Sequence, residues 1–164
     1  MVIREEREEE IEQITAIHNQ AFSRPAEGKI VEKLRKDGNL TISLVAESGG
    51  KVVAHIAYSP MSSKSREIIG IGLAPVAVLP AYQRQGIGSR LIEKGNEAAF
   101  TRGFSKIFVL GDPEYYRRFG FEIARDYNYF SSFDPEGKHF MIMGTQLEKA
   151  VVMTAVDYCA EFSG

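Results

Sequence analysis

One stretch constrains this chain more than any other: the apolar run Ile68 to Val78, halted at Pro80, followed by the tight loop Ala81-Tyr82-Gln83-Arg84-Gln85 and a helix opened by Gly86 and Gly88. A strand apolar along its whole length is buried on both faces, so layers must lie on either side of it. The helix, read over Ser89 to Phe100, carries an inner stripe of Leu91, Ile92, Ala98 and Ala99, with Gly103 past its end. Its first amides have no intrahelical partner, and the helix dipole makes that end positive. Glycines there let a bulky anion reach the backbone with no Cβ in the way. The arrangement suits a phosphate or pyrophosphate, and a ligand-free glycine-rich helix start stays equally open on these residues alone. Two nucleotide motifs fail on spacing. No Gly-x-x-x-x-Gly-Lys-Ser/Thr string exists, and the third glycine of a dinucleotide fingerprint is replaced by Leu91.

The remaining elements fit around that unit. Val2 and Ile3 read as a short strand before Arg4 to Glu10, a charged helix start with Glu8, Glu9 and Glu10 expected to be solvated. Ile11, Ile14, His18, Ala21 and Phe22 fall at helical spacing. Pro25 and Gly28 read as punctuation, and Ile30, Val31 and Leu34 as a second, shorter helix ending near Asp37 to Asn39. Leu40 to Ala46 and Val52 to Tyr58 are β-rich runs joined by a turn, Glu47 to Lys51, whose two glycines can take positive φ. Ser62 to Ser65 reads as a loop. Lys106 to Leu110, Phe121 to Ile123 and Phe140 to Met143 are further strands, and Asp112-Pro113-Glu114 caps a short helix closing at Gly120. The tail from Glu148 is compatible with strand or helix. Alternating strands and helices around a mixed sheet give an α+β (α/β, three-layer) class.

With 164 residues, 44% hydrophobic and 26% charged, the chain is expected to form a single domain over 1–164, its last twenty or so residues the least defined. A formal charge of −2 supplies no basic field for nucleic acid or an anionic membrane. Cys159, the lone cysteine, fits a reducing cytoplasm. There is no apolar run of about 18 residues to span a bilayer, and the N-terminus lacks a secretory signal. His18, His55 and His139 are far apart in the sequence without zinc-like spacing, so no metal is expected.

Two motifs in order carry a resemblance. Gln83-Arg84-Gln85-Gly86-Ile87-Gly88 follows Val78-Leu79-Pro80, and Tyr115-Tyr116-Arg117-Arg118-Phe119-Gly120-Phe121 comes after the next helix and strand. In this the chain resembles the GNAT superfamily of acetyl-CoA-dependent N-acetyltransferases, whose signatures are Gln/Arg-x-x-Gly-x-Gly/Ala after a strand ending in Val-x-Pro, and aromatic-Tyr-x-x-x-Gly-Phe. It looks most like a small stand-alone branch carrying Leu-Gly-Asp-Pro before the tyrosine pair, as in Leu110-Gly111-Asp112-Pro113.

That resemblance implies a mixed, mostly antiparallel sheet flanked by helices, with a splayed central strand pair. It implies that Val76, Ala77 and Val78 pair their backbone with pantetheine like an added strand. The amides of Arg84, Gln85, Gly86, Ile87, Gly88 and Ser89 would wrap the pyrophosphate, Tyr115 would wall the cofactor or pack, and Tyr116 would point at the thioester sulfur as general acid. The activity implied is direct acetyl transfer from acetyl-CoA to a primary amine of a small molecule or protein, with a homodimer as a common assembly. A side-chain base, mounted by some relatives just before Val76, has no counterpart among Gly72, Leu73, Ala74 and Pro75. His55 is a candidate base, or a histidine filling a sheet face. A non-catalytic acyl-CoA-binding or sensory module and an acyltransferase with another acyl-CoA are the alternative functions. The acceptor loops that the family varies most correspond to 22–38, 59–67 and 125–139.

Overall fold

The computed structural model describes residues 1–163; Gly164, the last residue of the expected domain, lies outside the described residues. The main sheet has seven strands: β1 (Val2–Glu5), β2 (Ile42–Ser48), β3 (Lys51–Ser62), β4 (Ile68–Val78), β5 (Lys106–Leu110), β6 (Glu122–Ile123) and β8 (Phe140–Gly144). Their order is β1-β2-β3-β4-β5-β8-β6, while β7 (Tyr129–Phe130) and β9 (Thr154–Ala155) form a second, two-stranded sheet. The β1–β2, β2–β3, β5–β8 and β6–β8 ladders are antiparallel, and β5 runs parallel to β4 where Ile71 meets Ile107 and Gly72 meets Phe108. The helices are α1 (Ile11–Phe22), α2 (Ala26–Lys36), α3 (Ile87–Thr101) and the short α4 (Pro113–Tyr116). The expected mixed, mostly antiparallel sheet with flanking helices is what the chain forms. Among the described residues, no helix is long and apolar enough to cross a membrane.

The described residues divide into two compact units, Met1–Ser59 with Ala74–Ala98, and Pro60–Leu73 with the residues from Ala99 onward. In the first, the β2–β3 hairpin turns on Gly49 and Gly50 with φ of +58° and +78°, the left-handed geometry that a two-residue hairpin loop requires. Helix α2 starts at Ala26, earlier than its apolar stripe suggested, and Gly28 lies inside it rather than before it. The reason is contact with α1: a Cβ at 28 would come within 2.7 Å of Asn19 Oδ1. Glu10 is likewise not solvated. It is buried, bonded bidentately to the Arg4 guanidinium at 2.6 and 3.0 Å, and accepts the Arg7 amide at 2.7 Å. The Arg4 hydrogen bond, against the opposing effect of burial, lowers its pKa.

Helix α3 is fitted to β3 by an unusual glycine. Gly95 lies at mid-helix, where glycine costs about 1 kcal/mol against alanine. A Cβ there would run into the Tyr58 ring and hydroxyl. Tyr58 is fully buried and donates to Asn96 Oδ1 at 2.7 Å. Gly95→Ala, normally a stabilising change in a helix, is therefore expected to destabilise by about 2–4 kcal/mol through overpacking and loss of the tyrosine bond. A denaturant midpoint at or above that of the wild type would show that the helix shifts freely.

In the second unit, Met61, Phe108, Ala124, Tyr129, Phe140, Ile142 and Val156 form one apolar cluster. Phe108 stacks on Phe140 at 5.3 Å and meets Tyr129 edge-on at 5.6 Å. Strand β3 runs to Ser62, past the loop start expected there, because Ser62 pairs with Asp157 of the tail. The tail itself settles as β9 followed by a 3-10 turn, Ala160–Ser163.

Candidate active site

The loop after β4 has the shape of an anion nest. The Leu79 amide donates to the Val53 carbonyl at 2.9 Å, holding the strand end to β3, and Gln83 Nε2 donates to the Val78 carbonyl at 3.0 Å. Arg84 and Gly86 both have positive φ, +61° and +80°. Left-handed residues in a tight loop can turn neighbouring amides toward a concavity that receives anions. Helix α3 begins at Ile87, two residues before the expected start, and the Arg90 amide bonds back to the Gly86 carbonyl at 3.1 Å. Ile87 and Gly88 stand in the turn before it, where helical geometry supplies no partner. Gln83 to Gly86 are exposed, and no atom lies within 4 Å of where a Gly86 Cβ would be. The nest is thus open to a ligand. Val76 and Val78 are half-buried and Ala77 is buried on the same strand.

Tyr116 is built by its own short helix. Asp112 caps α4, its carboxylate accepting the Glu114 amide at 3.0 Å, and Pro113 occupies the first turn. Gly120 closes the following 3-10 turn at φ +100°. The Tyr116 ring leans over Gly111 so closely that a Cβ there would strike it, and it meets Tyr115 and Phe121 edge-on at 5.0 and 5.8 Å. Burial first, and the neighbouring Tyr115 second, push its phenol up to about 12. It stays protonated through the neutral range, as a proton donor must. Tyr115 also packs under the Arg118 guanidinium at 4.6 Å, a cation–π contact that ties one of the two arginines to the protein itself.

A family model for an acetyltransferase (GNAT) domain matches residues 39–123, from before β2 through the tyrosine helix. The chain belongs to the GNAT family. It is 38% identical over 112 residues to the Escherichia coli N-acetyltransferase YhbS, covering 68% of this chain and 67% of YhbS. It is 33% identical over 156 residues to E. coli N-acetyltransferase YjhQ, covering 90% and 86%. Among solved structures, YhbS from E. coli in complex with CoA superposes with a TM-score of 0.92 at 31% identity, covering 99% of this chain and 92% of YhbS. A GNAT family acetyltransferase from Brucella melitensis in complex with acetyl-CoA gives 0.82 at 36% identity, covering 98% and 97%.

The candidate base of this GNAT chain is already engaged. His55 is fully buried, its Nε2 2.7 Å from Ser43 Oγ and its Nδ1 2.8 Å from His18 Nε2. Ser43 Oγ also makes a short bond to the Glu6 carboxylate, which Arg35 holds bidentately at 2.9 and 2.9 Å. A carboxylate only accepts, so the serine proton goes to Glu6, and His55 Nε2–H must donate to Ser43. His55 Nδ1 then accepts from His18 Nε2–H, and the lone pair of His18 Nδ1 is left buried without a partner. Both nitrogens of His55 are used, which removes it as a base. Burial opposes ionisation of Glu6, yet hydrogen bonds from His55, Arg35 and Ser43 bring its carboxyl down to about 2. Burial, then the neighbouring His55 and Arg35, push His18 down to about 3. Two histidines separated widely in sequence are neighbours here, but among the described residues no group of three or more His, Cys, Asp or Glu could hold a metal ion.

Proposed function

We propose that this GNAT enzyme transfers an acetyl group from acetyl-CoA to a primary amine by direct attack, with no covalent enzyme intermediate. The observation that carries the reading is the exposed loop Gln83 to Gly86, in which Arg84 and Gly86 are left-handed and nothing lies within 4 Å of a Cβ at Gly86. The CoA and acetyl-CoA complexes of two similar proteins support the choice of ligand. In this reading the amides of Arg84, Gln85, Gly86, Ile87, Gly88 and Ser89 hold the pyrophosphate, and Val76, Ala77 and Val78 hydrogen-bond pantetheine. Tyr115 walls the cofactor, and Tyr116 protonates the departing thiolate. A backbone amide near Val78 meets the oxyanion as the thioester carbon becomes tetrahedral.

The acceptor must arrive, or become, neutral. For a lysine-like amine at pH 7 that costs roughly 4–5 kcal/mol at 1.36 kcal/mol per pKa unit. A desolvating pocket offsets part of this by disfavouring the ammonium. The neutral amine's own proton finally replaces the one Tyr116 gives to sulfur, so transfer from the neutral amine is proton-neutral and an acceptor that arrives as ammonium gives one further proton to solvent. The reading keeps the enzyme in the cytoplasm, where its lone Cys159 stays reduced, and assigns it a homodimer, which sedimentation would check.

The decisive experiment pairs calorimetry of acetyl-CoA binding with thiol release on a panel of amines. Binding with turnover on at least one amine is the expected result. Binding without turnover on any amine would favour a CoA-binding module instead. Gly86→Asp puts a carboxylate into the nest and is expected to weaken acetyl-CoA binding by more than about 100-fold, since like charges brought together cost several kcal/mol. Aspartate is strained at the φ of +80° that Gly86 adopts, but it is one of the residues that visits this region, nothing lies within 4 Å of the new Cβ and the loop is exposed, so the fold should survive. Unchanged affinity in a folded Gly86→Asp protein would place the pyrophosphate elsewhere.

A further inference from the structure

The segment after β9 is tied to the end of β3 on both sides of one residue, Tyr158. Ser62 and Asp157 exchange two backbone hydrogen bonds, at 3.0 and 2.8 Å. The Cys159 thiol donates to the Pro60 carbonyl at 3.3 Å. Tyr158 lies between these anchors, and Phe133 and Phe162 pack beside its ring at 5.9 and 5.0 Å. The ring lies against β4 at Gly72, where a Cβ would come within 3.1 Å of Tyr158 Cε1. A glycine inside a strand marks such a close approach.

Gly72 is in register with Phe108 of β5, and β5 runs two residues further, to Leu110. The Gly111 amide donates to the His139 carbonyl, on the β8 side, at 3.0 Å. Amides of successive strand residues point to opposite sides, so the Leu110 amide points away from β8, to the side of β4. The buried Tyr158 hydroxyl is turned to that amide. The tail tyrosine thus stands between Gly72 of one strand and the end of the next. On the following residue, Gly111, the Tyr116 ring leans so closely that a Cβ would strike it. Consecutive Cα atoms are about 3.8 Å apart, so Tyr158 and Tyr116 address neighbouring residues at the end of β5.

We propose that Tyr158 sets the acyl length this enzyme accepts: its ring is the floor beneath the acyl group on the CoA sulfur and leaves room for acetyl only. This rests on the reading in which pantetheine follows β4 from Val78 to Val76 and the sulfur meets Tyr116. Gly72 comes next along β4 in that same direction, so the acyl carbons head toward the ring. Glycine at 72 hands this position to a residue of the tail instead of a side chain of the strand itself. A butyryl group adds two methylenes to acetyl, and they have to displace a ring that Gly72, Phe133 and Phe162 hold in place. Overfilling a packed apolar site is unfavourable.

Calorimetry with CoA, acetyl-CoA and butyryl-CoA reads this without an acceptor amine. Wild type should bind butyryl-CoA about tenfold or more weakly than acetyl-CoA, the usual scale of discrimination by an apolar pocket. Tyr158→Ala should bring the two within about threefold of each other and leave the affinity for CoA itself nearly unchanged. Tyr158→Leu keeps an apolar side chain under the tail and should relax the ratio in the same direction, which covers the case of an alanine variant that does not fold. Tyr158→Phe keeps the ring and should keep the discrimination. A general loosening of the fold would lower all three affinities together and leave their ratio alone. If wild type binds no CoA, the proposed site falls and takes this inference with it. If CoA binds but butyryl-CoA binds as tightly as acetyl-CoA, or the ratio persists in the folded alanine or leucine variant, Tyr158 loses its role and the CoA site keeps its own.

Discussion

Tyr116→Phe is expected to lower turnover by about 10²- to 10⁴-fold, the usual worth of a positioned general acid, while leaving acetyl-CoA affinity within a few-fold of wild type. The argument begins with the ionisation of the phenol. At about 12 it is a weaker acid than the leaving thiol, whose pKa is close to the cysteine value of about 8.5. It therefore does not hand over its proton in the ground state, and donates only as charge builds on sulfur, which is where a transition-state contribution must arise. Removing the hydroxyl deletes that contribution and little else, because the ring still packs against Tyr115 and Phe121. Gly111→Ala is an independent check. Its Cβ strikes the Tyr116 ring and displaces the hydroxyl without removing it, so turnover should fall while binding persists. Full turnover in Tyr116→Phe with any productive amine would show that the thiolate leaves unassisted.

What was legible in the sequence was local. The hairpin declared itself in Gly49-Gly50, because only left-handed residues make so short a turn, and both glycines have that geometry. The strand, loop and helix from Ile68 to Thr101 were legible for the same reason: a two-face apolar run, a proline stop and helix-start glycines are consecutive in the chain. Tyr116 was legible only through its motif, since nothing in its spacing says where a phenol points. Contacts between distant residues left no such trace. Glu10 looks like part of a solvated acidic run until Arg4 and the Arg7 amide are seen to hold it. His18 and His55 share no local pattern, yet they are bonded at 2.8 Å. One long-range feature had a faint signal: glycines 70 and 72 inside an apolar strand, which often mark a place where another group approaches closely. At Gly72 the nearest group is the Met61 sulfur, with the Tyr158 ring beside it; at Gly70 it is the Lys106 carbonyl and the Phe108 ring.

The histidine pair gives the protein a predictable weakness to acid. In the fold His18 is neutral down to about 3, whereas an unfolded histidine takes its proton near 6.5. Between those values the unfolded chain binds more protons, so stability falls as pH drops, by about 1.4 kcal/mol per pH unit for His18. From pH 6.5 to 4.5 that is about 3 kcal/mol, a large share of the stability of a domain this size. His55 is lowered too, by burial, and adds loss of the same sign. Glu6 acts below it: its carboxyl is held at about 2 against 4.5, so its contribution is present above 4.5 and is lost as pH falls toward 2. Glu6, His18 and His55 therefore all work in one direction, and above pH 6.5 these three contribute little slope. Urea unfolding at pH 7.5 and 4.5 should show the loss directly, and a flat profile between those values would mean that the buried pair accepts a proton at little cost. His18→Gln separates the histidine from its surroundings. A glutamine amide can still donate to His55 Nδ1, but it cannot be protonated, so the variant should keep most of its stability at pH 7.5 and show a shallower acid slope.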